Sequence, residues 1–231
     1  MEWTAKLNNR IIHCRRCPRL VAYCRDVARK KKREFREEHY WGRPVPSLGL
    51  ANARLLVIGL APAAHGGNRT GRVFTGDSSG RWLFRALHRA GFANQPTWQR
   101  RDDGLVLTDC YITAVIHCAP PGNKPLPEEI QRCNGYLAEE LRRLTGVRVV
   151  LALGRIAFEN YLKTLKAGGA PLPKPLPKFS HDSLHVLGAG LPVLIASYHP
   201  SRQNTNTGKL TEAMFDAVFA RARQLLGDAP R

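Results

Sequence analysis

The sequence predicts an α/β protein: one α/β/α domain in which helices cover both faces of a parallel sheet. Short apolar runs typical of buried strands alternate along the chain with segments of helical periodicity, which is the pattern of parallel α/β folds. The chain has 231 residues, 43% of them hydrophobic, and is long enough to bury one sizeable core. We therefore expect residues 1–231 to form a single domain with its active site at the carboxyl ends of the strands.

Three apolar runs predict buried strands, at residues 54–59, 147–153 and 191–198. They are short and do not alternate between apolar and polar residues, as expected for strands buried on both faces. The stretch 105–115 has the character of one or two further strands.

Helices are predicted between and around these strands. Leu83 and Leu87 recur at helical spacing before Gly91, which is expected to end that helix. Pro127 opens a second helix with an apolar stripe, and residues 211–226 form an amphipathic helix near the end of the chain. The first fifty residues are helical in character and strongly basic.

The charge of the chain points to a polyanionic partner. Thirty-six Lys and Arg residues against 18 Asp and Glu give a net charge of +18, which fits nucleic acid. The alternative is an arginine-rich proteome in which the charge serves no partner. Charge alone leaves both open, and we favour nucleic acid.

The sequence has neither a run of about 20 apolar residues nor the apolar core of a secretory signal. We therefore expect a cytoplasmic protein with no membrane partner, whose six cysteines are buried or bind metal rather than forming disulfides. Cys24 fits an apolar helix stripe and Cys110 ends a strand, so both are expected in the core.

The other four cysteines form two pairs. Cys14 and Cys17 have the C-x-x-C spacing that holds one metal from a single turn, while Cys118 precedes a proline-rich loop and Cys133 lies fifteen residues further on. Together they predict a four-thiolate site that ties the N-terminal segment 1–50 to the core. Structural zinc and a [4Fe–4S] cluster fit the spacing about equally, and the alternative is that Cys133 merely fills its helix stripe.

Two loops carry the residues expected to do chemistry. The first, residues 59–77, follows a strand, precedes a helix and contains five glycines, so its backbone is expected to approach a ligand closely. It also carries His65, Asn68 and Asp77, although it has neither P-loop nor dinucleotide spacing. In the second loop, His199 stands at the end of a predicted strand and is followed by Pro200.

The two loops, GLAPAAHGGNRTGRVFTGD at 59–77 and SYHPSRQNT at 197–205, resemble those of the type-B, or fifth-family, uracil-DNA glycosylases. The resemblance runs from the C-x-x-C pair to the second loop, nearly the whole chain. It implies a three-layer α/β/α sandwich around a central, largely parallel four-stranded sheet. It also implies a structural [4Fe–4S] cluster on Cys14, Cys17, Cys118 and Cys133, which favours iron over zinc.

The same resemblance assigns roles in catalysis. Phe74 would stack on the flipped base and Asn123 would hydrogen-bond to its polar edge. Asp77 would assist the hydrolytic water or the sugar cation, and His199 would stabilise the departing base anion. The chemistry is consistent with this, because breaking an N-glycosidic bond builds positive charge on the sugar and negative charge on the base.

Further residues complete the predicted site. The substrate pocket would also include Ala63, His65 and Asn68, and the loop that probes the DNA duplex would comprise Ser201, Arg202 and Gln203.

Two departures from the related type-A pattern are typical of type B. Type-A enzymes carry an acid directly after the first strand, where this chain reads Gly59-Leu60-Ala61-Pro62-Ala63, and an asparagine at the position of Ala114. These departures leave the activation of water open and predict a looser pocket that also accepts hypoxanthine or xanthine.

We therefore expect a monofunctional DNA glycosylase that starts base-excision repair, since no lysine is placed to form a Schiff base. Its partner would be damaged DNA, double-stranded or single-stranded, and the protein would be a nucleoid-associated monomer. The alternative is a non-catalytic, metal-stabilised module that binds nucleic acid.

Overall fold

The computed structural model describes residues 2–98 and 100–227, and its centre is a six-stranded sheet. The strands are β1 Leu48–Gly49, β2 Leu55–Gly59, β3 Cys110–Ala114, β4 Val149–Leu153, β5 Ser183–His185 and β6 Val193–Ser197. They lie in the order β1-β3-β2-β4-β6-β5. The four central strands are parallel, and β1 and β5 pair antiparallel at the two edges.

The predicted α/β class is confirmed, but the predicted number of strands is wrong, since the sheet has six strands and not four. The four parallel strands match the expectation. The two additional ones are only two and three residues long and are partly exposed, so no apolar run marks them in the sequence. In the stretch 105–115 only β3 joins the sheet.

Helices cover both faces of this sheet. They are α1 Glu2–Ile12, α2 Pro18–Lys30, α3 Gly67–Thr70, α4 Ser78–Arg89, α5 Pro127–Arg143, α6 Arg155–Ala167, α7 Arg202–Asn206 and α8 Glu212–Leu225, with short 3-10 turns at Arg33–Phe35 and Pro121–Asn123. None of the described helices is long and apolar enough to cross a membrane.

The three layers follow from the alternation of side chains along the strands. Leu55 and Val57 of β2 face a core shared with α4 and α8, whereas Leu56 and Ile58 face a second core shared with α2, α5 and α6. Every residue of β2, β3 and β4 is buried, which explains the unbroken apolar character of β2 and β4.

The N-terminal segment is joined to the core by polar contacts. Ser47, just before β1, donates a hydrogen bond to Glu140 of α5, and its Oγ lies 2.9 Å from Oγ1 of Thr113 of β3. Asn8 of α1 exchanges hydrogen bonds of 3.1 Å with the backbone of Ser47. Burial raises the pKa of Glu140 to about 7, although hydroxyl donors, including Tyr111 at 3.0 Å, favour its charged form.

Candidate active site

The carboxyl ends of β2, β4 and β6 open into a cavity of about 920 Å³, here called the base cavity. Such a position follows from the parallel sheet, because the loops after the strands meet at one edge. The predicted site residues that line it are Ala63, Phe74, Asp77, Asn123, His199, Ser201, Arg202 and Gln203.

Phe74 forms an aromatic wall of the base cavity together with His199. The two ring centroids lie 6.0 Å apart with an angle of 29° between the planes. The ring of Phe74 packs directly on Gly59, where an added Cβ would lie 2.3 Å from Cζ of Phe74. Only glycine therefore fits at the end of β2, and Phe74 itself adopts a left-handed backbone with φ of 54°.

Asp77 sits at the N-cap of α4, where one carboxylate oxygen accepts a hydrogen bond of 3.0 Å from the backbone N–H of Gly80. Burial raises the pKa of Asp77, while the N–H groups of Gly80 and Ser79 favour the charged form. An added Cβ at Gly66 would lie 3.0 Å from the carboxylate, so the loop backbone confines this side chain. The cap thus fixes a carboxylate at the edge of the cavity.

His199 follows the end of β6 and is held through its backbone. Its carbonyl oxygen accepts hydrogen bonds of 2.8 Å from Nδ2 of Asn204 and from the N–H of Ser201. Burial lowers the pKa of His199 to about 4. The imidazole is therefore neutral at physiological pH and can donate one N–H into the cavity.

Asn123 and the second loop lie at the mouth of the base cavity. Asn123 is exposed at the end of the turn Pro121–Asn123, with a left-handed φ of 57°. Ser201 caps α7 by accepting a hydrogen bond of 3.4 Å from the N–H of Asn204. Arg202 and Gln203 start that helix and are exposed, as a DNA contact requires.

Two of the predicted pocket residues lie outside the base cavity. Asn68 is fully buried and donates hydrogen bonds of 3.2 and 3.3 Å to the carbonyl oxygens of Cys24 and Ala64, so it braces the loop against α2. His65 lines a neighbouring cleft and contacts the hydroxyl of Tyr40 through Nδ1 at 2.9 Å. Both differ from the predicted placement because the loop turns its polar side chains to different sides.

The four paired cysteines line one narrow cavity between the start of α2, the loop after β3 and α5. Among the described residues, no three His, Cys, Asp or Glu side chains are grouped as ligands of a single ion. Apolar residues, His117, Tyr136 and two cations, Arg16 and Arg132, complete the wall. Cys24 and Cys110 do not line it and are buried in the core, as expected.

The electrostatics of this cavity differ from one thiol to the next. Burial opposes ionisation of Cys14, but hydrogen bonds from Tyr136 and Arg16 outweigh it and lower the pKa of this thiol. Burial raises the pKa of Cys133 to about 12, and the charges of Cys14 and Cys17 add to the effect. Thiols gathered in this way can lose their protons together only if a cation compensates the charge. An all-thiolate donor set is one that a soft metal takes, although among the described residues these side chains are not grouped as ligands of one ion.

A profile of the Uracil DNA glycosylase superfamily matches residues 46–223. The chain belongs to this superfamily. The resemblance carried by the two loops is therefore confirmed.

Several similar members of the superfamily are named Type-5 uracil-DNA glycosylase. That of Mycobacterium tuberculosis is 48% identical over 223 residues, 96% of this chain and 81% of the relative. That of Thermus thermophilus is 50% identical over 214 residues, 93% of this chain and 94% of the relative. That of Pyrobaculum aerophilum is 47% identical over 220 residues, 95% of this chain and 92% of the relative. The Mycobacterium tuberculosis and Pyrobaculum aerophilum matches leave too few residues of this chain outside to omit Cys14 and Cys17, which the superfamily profile leaves out.

This glycosylase-superfamily site also contains residues that the sequence did not single out. Tyr198 and Phe179 line the base cavity with ring centroids 6.2 Å apart. Nζ of Lys209 lies 4.8 Å from the ring of Tyr198, and the guanidinium of Arg155 lies 5.3 Å from that of Phe179. The position of Tyr198 next to His199 was the one available signal, because Phe179 lies in a loop remote in sequence.

Proposed function

We infer that this chain hydrolyses the N-glycosidic bond of uracil in DNA. The observation that carries the inference is the base cavity, in which an aromatic wall, a confined carboxylate and a neutral imidazole converge. The names of its relatives, which share about half of its residues along nearly the whole chain, support the same substrate.

The reaction breaks the bond between C1′ of the sugar and N1 of uracil. The sugar becomes cationic as the bond lengthens, and the uracil leaves as an anion. Asp77 faces the cationic side, where its carboxylate stabilises the sugar and accepts the proton of the water whose oxygen bonds to C1′. His199 donates its N–H to the anionic base as a neutral imidazole, which costs no proton transfer from solvent.

Phe74 and Asn123 select the base. A nucleotide must leave the helix to reach the cavity, at a cost of a few kcal/mol. Stacking on the wall of Phe74 and His199 offsets part of this cost, since base–aromatic stacking contributes about 1–3 kcal/mol. The amide of Asn123 offers both a donor and an acceptor to the polar edge of uracil.

The loop of Ser201, Arg202 and Gln203 would contact the DNA beside the flipped nucleotide. It lies at the mouth of the base cavity, and the charge of +18 attracts the backbone. We propose that the protein acts as a monomer at the nucleoid, on double-stranded and single-stranded DNA.

We also propose that the pocket accepts the larger deaminated purines, hypoxanthine and xanthine. Leu60, which stands where type-A relatives carry an acid, lines the base cavity with an apolar side chain. The space of about 920 Å³ leaves room for a purine. Ala114 is buried at the end of β3 and does not line this cavity, so it would act on specificity only through its neighbours.

We propose that Cys14, Cys17, Cys118 and Cys133 hold a [4Fe–4S] cluster. The shared cavity, the all-thiolate donor set and the adjacent cations Arg16 and Arg132, which oppose the negative charge of such a centre, support it. When bound, the cluster would supply a structural link between the N-terminal segment and α5.

Incubation with duplexes that each carry one damaged base, followed by alkaline cleavage at abasic sites, tests the function. We expect strand breaks at uracil first, and at hypoxanthine and xanthine more slowly. Tight binding without abasic sites on any duplex would instead favour the non-catalytic nucleic-acid-binding module.

A further inference from the structure

A second cleft, of about 460 Å³, adjoins the base cavity and is here called the flank cleft. The residues that line both are Ala63, Asp77, Ser78, Gly122, Asn123 and Arg202. The flank cleft extends from this shared wall towards the end of α2, where Lys32 and Phe35 line it. The proposed function assigns roles only to residues of the shared wall, and none to the part of the cleft beyond it.

The cations of the flank cleft differ in whether they are engaged. Arg69 is fully used, since it pairs with Glu38 and donates to the carbonyl oxygens of His65 and Gly76. Lys32 pairs with Glu34 at 2.9 Å. Within residues 2–98 and 100–227, the exposed side chain of Arg81 forms neither an ion pair nor a hydrogen bond. Arg81 is thus available for an anion from outside, as is the exposed Arg202 on the shared wall.

His65 adds a neutral donor to the same cleft. The hydroxyl of Tyr40 accepts a hydrogen bond of 3.3 Å from the N–H of Lys32 and lies 2.9 Å from Nδ1 of His65. When the hydroxyl donates to Nδ1, the ring proton of His65 is on Nε2, at the far edge of the ring. An imidazole in this tautomer donates to an anion without carrying charge.

We propose that the flank cleft binds the phosphodiester next to the flipped nucleotide, with Arg81 and His65 as its donors. The proposal rests on the proposed function, because the position of Asp77 on the shared wall places the reacting sugar there. Every sugar within a strand lies between two phosphates, so a strand that leaves this sugar through the flank cleft brings one phosphate to Arg81. Its positive charge also offsets the repulsion between that phosphate and the carboxylate of Asp77.

Neutral backbone linkages test this proposal. Uracil oligonucleotides are prepared with a methylphosphonate, which lacks the negative charge, at the linkage 5′ or 3′ to the uracil. Binding at low salt and single-turnover release of uracil are measured for the wild type, Arg81→Ala and Arg142→Ala. Arg142 is a matched control, because it is also exposed but lies on α5, away from both cavities.

One of the two neutral linkages should weaken binding by the wild type about tenfold, and Arg81→Ala should weaken binding of unmodified DNA to a similar extent. The two changes should not add, because each removes one partner of the same contact. Arg142→Ala should keep the full sensitivity to the linkage and should release uracil at near the wild-type rate. His65→Phe should also make binding less sensitive to the neutral linkage, but by a smaller factor than Arg81→Ala.

If the loss of binding from Arg81→Ala added fully to the loss from the neutral linkage, at either of the two linkages, the proposal would be overturned. The proposed function would remain intact. Failure of the wild type to release uracil from unmodified DNA would overturn the function itself. The same experiment therefore distinguishes failure of this proposal from failure of the proposed function.

Discussion

Replacement of His199 by alanine probes the charge on the departing base. Burial lowers the pKa of this histidine to about 4, so at pH 7 about one molecule in a thousand carries an imidazolium there. The donor is then a neutral N–H held in place by the backbone contacts of Asn204 and Ser201. Loss of one preorganised donor of this kind slows the chemical step by about 10²–10³.

Single-turnover release of uracil from a saturated duplex measures this loss, with His88→Ala, an exposed histidine at the end of α4, as control. On 5-fluorouracil, whose anion is more stable, the defect of His199→Ala should shrink to about tenfold or less, since less charge needs a donor. The histidine contribution should persist from pH 8 down to about pH 5, because the neutral form is lost only as the pH falls through about 4. Equal defects on both bases would refute the assignment.

Three further outcomes are expected. Asp77→Asn keeps a side chain that caps α4 but removes the charge. The rate of base release should therefore fall at least tenfold on both uracil and 5-fluorouracil, while DNA binding and the melting temperature barely change. Release at the wild-type rate would contradict a role for the carboxylate. Anaerobically purified protein should be brown with about four iron and four sulfide per chain, and Cys133→Ser should lose the colour whereas the buried control Cys110→Ala keeps it; zinc in place of iron would exclude the cluster. Glu140 has a pKa of about 7, above its usual 4.5, so its protonated form stabilises the fold at acid pH and this contribution is lost as the pH rises through 7. Between pH 5 and 8, calorimetry should therefore find that the melting temperature of Glu140→Gln rises relative to that of the wild type. A difference in melting temperature that stays constant with pH would contradict the raised pKa.

The sequence predicts those parts of the fold whose signal is local. Strands β2 and β4 are buried and apolar throughout, and β6 is nearly so, so their positions follow from hydrophobicity alone. The edge strands β1 and β5 pair through their backbones and expose side chains, which leaves no pattern to detect. Their existence depends on the neighbouring strands β3 and β6.

The site residues also differ in whether the sequence carries a local signal for them. Phe74 and His199 could be found because each lies in a distinctive loop after a strand. Asn68 is as polar as its neighbours, yet its side chain points towards α2 and holds the loop there. The sequence does not give the direction of a side chain, so it does not distinguish this structural role from substrate binding. The flank cleft joins residues from α2, the first loop and α4, and such convergence across the chain leaves no local signal.

The position of Asp77 bears on the activation of water in a chain without an acid after β2. Among the described residues that line the base cavity, Asp77 is the only carboxylate, and the corresponding position after the strand is the apolar Leu60. The helix cap and the close backbone at Gly66 hold the Asp77 carboxylate in one place, so it needs no second acid to orient it. A single fixed carboxylate is sufficient when the transition state is mainly a sugar cation, because that cation is strongly electrophilic and the water needs little activation. Under the proposed function, the apolar Leu60 would widen the range of accepted bases without removing the carboxylate on which the proposed chemistry depends.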